Sequence, residues 1–265
     1  MPSHRSDPAQ APWLRRQGRG NGRTLVCFHH AGAGASTFAR WPATAGLDAA
    51  WVFVQLKGRE ERCADVLDEP IDALASDIAG RLQRSESGEL VLIGHSMGGT
   101  LAWWVAAALW RAHGRRSTVV LSAQAPARPA GLARIQGHAE GADLRAWYAA
   151  LGEPCPPALD HPELAALAGA TLAQDLRWMR RALQAPAPGP LPVDLHAVHW
   201  TEDRLVTADD MRPWEALCSG TFARHPLPGG HLTLATHPAS FHALLRQILV
   251  QESLHDRPSP AGATP

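Results

Sequence analysis

The chain has 265 residues, of which 45% are hydrophobic and 19% are charged, and its formal net charge is zero. This length and apolar content fit one α/β domain with an additional segment, and two small domains are the less favoured alternative. The balanced charge argues against a nucleic acid or an anionic membrane as a partner. There is no run of about 18 apolar residues and no apolar secretory core at the N-terminus, so we expect a cytoplasmic protein without a membrane span.

Short apolar runs alternate with helical patterns along most of the chain. Helices are expected at 69–84, 99–113, 208–218 and 238–251. Strands are predicted at 24–28, 51–56, 90–94, 118–123, 193–200 and 221–227. Because most of these strands are apolar throughout, the pattern predicts an α/β fold with a mainly parallel central sheet and helices on both faces.

The domain boundaries follow from composition. Residues 23–252 are predicted to form a single domain, between disordered segments at 1–22 and 253–265 that are rich in Pro, Gly and polar residues. Residues 128–190 interrupt the alternation with two helical patterns, at 141–152 and 161–184. An insertion between two sheet strands is a common place for a lid over an active site. A helical layer packed on the sheet is the alternative.

The stretch GHSMGG joins a predicted strand to a predicted helix. Small residues at Gly94, Ser96, Gly98 and Gly99 would suit any tight turn. The pattern G-x-S-x-G is also typical of a nucleophile elbow, where the serine hydroxyl is exposed above the sheet. A nucleophilic serine needs a base that accepts its proton and an acid that orients the base. In hydrolases with a nucleophile elbow, the chain order is serine, acid, histidine. The acid and the histidine should therefore both lie after residue 96.

The acid is assigned to Asp203, which lies in the short loop TEDRLV after the predicted strand 193–200. The carboxyl ends of parallel strands are where functional side chains collect. Glu202, Asp209 and Asp210 are the alternatives. The last two also suit a helix N-terminus, where a carboxylate is favoured by capping and by the helix dipole.

The base is assigned to His231, which follows two glycines in PLPGGHLT, just after a predicted strand. A flexible turn at this point can carry an imidazole back over the sheet edge. The remaining histidines after the acid are interpreted as structural or solvated: His225, His237, His242 and His255.

An oxyanion hole requires two backbone N–H groups. We assign them to Met97, which follows the serine, and to Ala31 in the loop after the first predicted strand, with His30 as the alternative to Ala31. Adjacent His29 and His30 could suggest a metal, but no acidic residue accompanies them nearby, so no metal site is expected.

Five motifs resemble the external type II thioesterases of nonribosomal peptide and polyketide assembly lines. They are LVCFHHAGAGASTFARW, LKGREER, LIGHSMGG, TEDRLVT and PGGH, in this order within residues 24–250. The resemblance implies an α/β-hydrolase fold with a mobile helical lid, and it places the family's catalytic residues at Ser96, Asp203 and His231. It also implies hydrolysis of acyl or aminoacyl thioesters on the phosphopantetheine arm of acyl or peptidyl carrier proteins, which clears stalled or misprimed carriers. No cofactor is expected beyond that arm, and we expect a monomer.

The chain departs from the family at three places. His29 stands where proline is usual, Ala33 where a glycine is usual, and Lys57-Gly58 where proline-glycine is usual. Arg59 and Arg62, expected to be exposed, are candidates for steering an acidic carrier. The alternative functions are a carboxylester hydrolase for free esters, a thioesterase that releases a finished product, and a non-catalytic homologue that acts as a binding partner.

Overall fold

The computed structural model describes residues 13–20, 22–126 and 143–255. Within these ranges, seven strands, numbered β1 to β7 in chain order, form one sheet with the order β1-β3-β2-β4-β5-β6-β7, in which β1 pairs with β3 antiparallel and the other neighbours are parallel. The predicted mainly parallel sheet and all six predicted strands are therefore confirmed. The strands are β1 Leu14–Gln17, β2 Arg23–Phe28, β3 Ala50–Val54, β4 Glu89–His95, β5 Thr118–Ser122, β6 Asp194–Trp200 and β7 Phe222–Leu227.

Helices connect most of the strands. Those predicted at 69–84, 99–113 and 238–251 are confirmed, with ends shifted by a few residues. The helices are α1 Trp41–Thr44, α2 Ile71–Ser85, α3 Met97–His113, α4 Leu144–Leu151, α5 Pro162–Gln184, α6 Ala208–Met211, α7 Thr233–Thr236 and α8 Ala239–His255. Among the described residues, no helix has the length and apolarity needed to cross a membrane.

Three expectations about local structure need correction. Residues 208–218 do not form one helix: α6 gives way to a 3-10 helix at Arg212–Leu217, and Pro213 has no N–H for an α-helical bond. Leu14–Gln17, predicted to be disordered, form the edge strand β1. At the other end α8 reaches His255, inside the tail predicted to be disordered. The rest of both terminal predictions lies outside the described residues.

Two apolar layers cover the sheet, one on each face. Val26 and Phe28 of β2 pack towards α2, α3 and the C-terminal half of α5. Leu25 and Cys27 of the same strand face the opposite layer, which contains α1 and α8. Both faces of the inner strands are thus buried, which explains why those strands are apolar throughout.

The predicted insertion is partly described, because residues 127–142 lie outside the described ranges. Its helices α4 and α5 are present at the positions of the two helical patterns. The side chains of α5 that become buried begin only at Thr171. The first part of α5 therefore buries no side chain, while its second part packs on the core.

Candidate active site

Ser96 lies on the turn between β4 and α3. Its backbone has φ 52° and ψ −121°, a conformation that side-chain-bearing residues rarely adopt. A Cβ on Gly98 would lie 2.6 Å from the His29 carbonyl oxygen and closer still to that of Phe28. A Cβ on Gly94 would lie 2.5 Å from the Cα of Gly99. The glycines thus permit the close approach of strand, helix and neighbouring loop that a strained elbow requires.

His231 lies between Ser96 and Asp203. Its Nε2 is 3.0 Å from Ser96 Oγ, and its Nδ1 is 2.8 Å from Asp203 Oδ2. The other carboxylate oxygen, Oδ1 of Asp203, accepts hydrogen bonds from the N–H groups of Leu205 and Val206 at 2.7 and 3.0 Å. His231 and Asp203 are buried, whereas Ser96 is partly exposed. The carboxylate therefore fixes the tautomer with a proton on Nδ1, which leaves Nε2 free to accept the serine proton.

The other candidate acids occupy different positions. Glu202 is exposed beside Asp203. Asp210 forms a reciprocal capping box with Thr207 at the start of α6, and Asp209 pairs with Arg212 at 3.6 Å. The helix-terminal interpretation of these two carboxylates agrees with their contacts.

Three of the other candidate bases have partners away from the serine. His225 stacks on His196 with their ring nitrogens 3.0 Å apart. His237 bonds to the neighbouring Thr236 hydroxyl, and His242 packs edge-on against Trp41. The side chain of His255 lies outside the described residues.

The two N–H groups assigned to the oxyanion hole occupy suitable elements. Met97 is the first residue of α3, where N–H groups have no acceptor within the helix and the helix dipole favours negative charge. Ala31 lies in a tight turn that the hydrogen bond from Ala33 N–H to the His30 carbonyl closes at 3.2 Å. The close approach at Gly98 brings this loop against the start of α3. The roles of Met97 and Ala31 remain predictions.

Two further imidazoles accompany His231. The His95 ring lies 5.3 Å from the His231 ring and 5.6 Å from that of His30, between centroids. Burial lowers the pKa of His95 well below its usual value and, together with His231 and Arg59, lowers the pKa of His30 to about 3. Both rings are therefore neutral at neutral pH and add no fixed positive charge beside His231.

His29 and His30 lie next to each other in the loop after β2. The Nδ1 atom of His29 lies 2.9 Å from the carbonyl oxygen of His30. Within the described ranges, no group of three His, Cys, Asp or Glu side chains is arranged to hold a metal ion.

The expectation that Arg59 and Arg62 are exposed is wrong. Only 5% of Arg59 and 6% of Arg62 is exposed. Arg59 forms a two-pronged ion pair with Asp175 of α5. The guanidinium carbon of Arg62 lies 3.6 Å from the centre of the Trp13 ring. Buried charges need such partners, and neither side chain is available to contact a carrier.

Asp175 was not identified from the sequence. It lies on the face of α5 that also buries Leu172, Leu176 and Met179. A carboxylate within the apolar stripe of an amphipathic helix is the signal that could have revealed it, because such a group needs a buried partner.

Comparison with known proteins gives a family. Residues 23–250 match the model of the thioesterase domain. The chain is 30% identical over 250 residues to the AMB antimetabolite synthetase AmbE of Pseudomonas aeruginosa, covering 93% of this chain but 12% of AmbE. It is 27% identical to the probable cadicidin biosynthesis thioesterase of Streptomyces griseus, covering 97% of this chain and 70% of that protein.

A solved structure extends the comparison to three dimensions. The type II thioesterase BorB from the borrelidin biosynthetic cluster superposes with a TM-score of 0.67 at 25% identity, covering 91% of this chain and 96% of BorB. The expected α/β-hydrolase fold and the resemblance to type II thioesterases are confirmed. Because the family model matches residues 23–250, which are most of the chain, the chain belongs to the thioesterase domain family.

Proposed function

We propose that this chain hydrolyses acyl and aminoacyl thioesters on the phosphopantetheine arms of acyl or peptidyl carrier proteins, and so clears stalled or misprimed carriers. The observation that carries the proposal is the continuous line of hydrogen-bonding atoms from Ser96 through His231 to Asp203. This line ends in a partly exposed hydroxyl on a strained elbow. Such an arrangement serves nucleophilic acyl transfer.

The first step is acylation of the serine. His231 Nε2 removes the hydroxyl proton as Ser96 Oγ attacks the thioester carbonyl carbon, and Asp203 stabilises the imidazolium that forms. The N–H groups of Met97 and Ala31 hold the oxyanion of the tetrahedral intermediate. The carbon–sulfur bond then breaks, the proton on Nε2 passes to the pantetheine sulfur, and the carrier leaves with its free thiol.

The second step is hydrolysis of the acyl-serine. His231 Nε2 accepts a proton from water, which attacks the ester carbonyl through the same oxyanion hole. The carbon–oxygen bond to Ser96 breaks as His231 returns the proton to Oγ, and the carboxylic acid departs. Both steps use only side chains of this chain, backbone N–H groups and water. The phosphopantetheine arrives as part of the substrate.

The substrate class is supported by the relatives. One relative is a probable cadicidin biosynthesis thioesterase, and another is a type II thioesterase from the borrelidin biosynthetic cluster. The chain corresponds to only 12% of the length of AmbE, so the activity of that synthetase is not carried over. Removal of stalled loads is proposed here for this chain on the strength of its similarity to a type II thioesterase over 91% of its length.

The test is intact-protein mass spectrometry of carrier proteins loaded with short acyl, aminoacyl or long product-like acyl groups. We expect the wild-type enzyme to remove the acyl mass and leave phosphopantetheine attached, and Ser96→Ala to leave every load in place. Removal of both the short acyl and the aminoacyl groups would support the proposed clearing of stalled or misprimed carriers. Selective removal of the long load would indicate product release instead. Retention of all loads with intact hydrolysis of p-nitrophenyl esters would indicate a carboxylester hydrolase.

A further inference from the structure

We propose that Asp175, in the helical insertion, is a positioning residue for the oxyanion hole. It holds the turn from His30 to Ala33, which carries the Ala31 N–H, through direct contact with Gly32 and through Arg59. This inference rests on the proposed function, because it concerns the oxyanion hole of the same serine site. It concerns a residue that touches neither the substrate nor the reacting atoms.

Asp175 contacts the turn directly. Its Oδ2 accepts a hydrogen bond from the Gly32 N–H at 2.7 Å, and Gly32 is the residue immediately after Ala31. Gly32 has φ +79°, the conformation that lets the chain reverse at this point. An anchored N–H at Gly32 fixes the peptide plane adjacent to the one that presents the Ala31 N–H.

Arg59 provides a second connection to the same turn. Its Nη1 donates to Asp175 Oδ2 at 2.6 Å and to the Ala33 carbonyl at 2.9 Å, while its Nη2 donates to Asp175 Oδ1. Its Nε and Nη2 donate to the Lys57 carbonyl at 3.0 and 2.9 Å. The guanidinium thus joins the loop after β3, the insertion and the oxyanion turn in one network.

Burial makes this network rigid. The side chain of Asp175 is 0% exposed and that of Arg59 is 4% exposed. Charge-assisted hydrogen bonds in such surroundings are strong and geometrically specific. Because the carboxylate of Asp175 is hydrogen-bonded to Gly32 and to Arg59, a shift of Asp175 would be transmitted to the Ala31 turn.

An apolar cluster shows that the insertion supports the whole site. Trp147 and Leu151 of α4 pack with Leu172 and Leu176 of α5. Residues from three loops of the site join them, and these residues are Ala31 in the oxyanion turn, Leu205 after Asp203 and Leu232 after His231. Glu153, just after α4, also accepts a hydrogen bond from the Leu232 N–H at 3.2 Å. The second half of α5 therefore packs directly against the loops that carry the site.

The position of Ala31 N–H matters for rate because oxyanion donors act at about 2.7–3.1 Å from the developing charge. Loss of a whole donor lowers kcat by roughly 10²–10³-fold. A donor that is displaced but still present should cost less. Since Asp175 does not contact substrate, KM should change little, and since it does not contact His231, the pH profile should keep its shape.

The experiment compares Asp175→Asn with a matched control, Asp160→Asn. Asp160 is also in the insertion, but its ion pair with Arg145 is exposed. Rates are measured with both a loaded carrier and a p-nitrophenyl ester, as kcat, KM and pH profile. The affinity of an alkyl boronic acid, whose tetrahedral serine adduct places an oxygen in the oxyanion hole, is measured in parallel.

We expect Asp175→Asn to lower kcat about 10- to 100-fold, with KM and the pH profile unchanged and the boronic acid bound more weakly by a similar factor. Asp160→Asn should match the wild type. Retained kcat, an unchanged boronic acid affinity or a shifted pH profile for Asp175→Asn would overturn the assignment. Wild-type activity on the p-nitrophenyl ester but not on loaded carriers would contradict the proposed carrier substrate. The ester rates of the variants would still test the role of Asp175.

A second variant keeps the proposal testable if the first one does not fold. If Asp175→Asn does not fold, the double variant Arg59→Met with Asp175→Leu removes both buried charges, which proteins often tolerate. The same loss of kcat is expected there. Wild-type kcat in the double variant, or failure of both variants to fold, would assign the pair a purely structural role and overturn the proposal.

Discussion

The Nε2 atom of His231 lies 3.0 Å from the Oγ atom of Ser96, although the two residues are 135 positions apart in the chain. Two local features produce this contact. The strained elbow raises the serine above the end of β4, and the turn after β7 returns the imidazole over the same edge of the sheet. The parallel arrangement of β4 and β6 supplies the acid at that edge as well.

Replacement of the nucleophile tests the first role. Ser96→Ala removes one partly exposed hydroxyl and should lower hydrolysis of loaded carriers by about 10⁴-fold or more, because no other group can form the acyl intermediate. Thermal unfolding should stay close to the wild type. Steady-state assays on a purified carrier measure the effect, and a residual rate within tenfold of the wild type would exclude Ser96 as the nucleophile.

Replacement of the acid tests the tautomer argument. In Asp203→Asn the remaining carbonyl oxygen can still accept from the Leu205 and Val206 N–H groups, but the amide N–H₂ would face His231 and favour the wrong tautomer. We expect kcat to fall roughly 10⁴-fold with little change in the folded structure. The matched variant Glu202→Gln changes an exposed neighbour and should keep wild-type kcat. Equal losses in both variants would contradict the assignment.

The elbow glycine can be tested through stability. Gly98→Ala places a methyl group against the carbonyl groups of Phe28 and His29, and this backbone has little room to yield. We expect the free energy of unfolding to fall by about 1–3 kcal/mol, together with loss of activity. Gly80→Ala is the control, because its nearest neighbour is the flexible end of Arg84 at 3.4 Å. That helical substitution should raise stability by about 0.5–1 kcal/mol.

The stability of the protein should fall in mild acid. Burial, with a smaller effect of Arg246, lowers the pKa of His242 from its ordinary value of 6.5 to about 4. The unfolded chain therefore binds a proton more readily than the folded chain, so this contribution is complete above pH 6.5 and is lost as the pH falls towards 4. The slope is at most about 1.4 kcal/mol per pH unit for this group.

A phenylalanine at the same position isolates the effect. His242→Phe keeps a ring edge-on to Trp41 but removes the titrating group. Denaturant titrations at neutral and mildly acidic pH should show a smaller loss of stability for the variant than for the wild type. Identical pH dependence in the two proteins would show that His242 does not contribute.

Most of the sheet could be predicted from the sequence, and so could the three residues Ser96, His231 and Asp203 that the structure brings into contact, because their signals are local. Apolar strands such as β4 are continuous, and glycines mark the elbow and the turn before His231. Strand β1 was not predicted because it is short, contains Arg15 and Arg16, and is half exposed at the sheet edge. Its strand state depends on pairing with β3, which no local pattern encodes.

The supporting network depends on contacts over long distances in the chain. Arg59 and Asp175 are 116 positions apart, so their sequence contexts show two isolated charges. An arginine in a loop is usually solvated, but Arg59 is buried where it meets Asp175 of α5. The contacts of the second half of α5 could not be predicted for the same reason, since its partners lie in other elements of the chain.

The central claim is that Ser96 carries the acyl group during turnover of a loaded carrier. Rapid-quench mass spectrometry of the enzyme mixed with an acyl-carrier tests it most directly, followed by peptide mapping. We predict an added acyl mass on the peptide that contains Ser96, formed and lost at least as fast as kcat and absent in Ser96→Ala. Release of the acyl group from the carrier without a kinetically competent adduct at Ser96 would contradict the account.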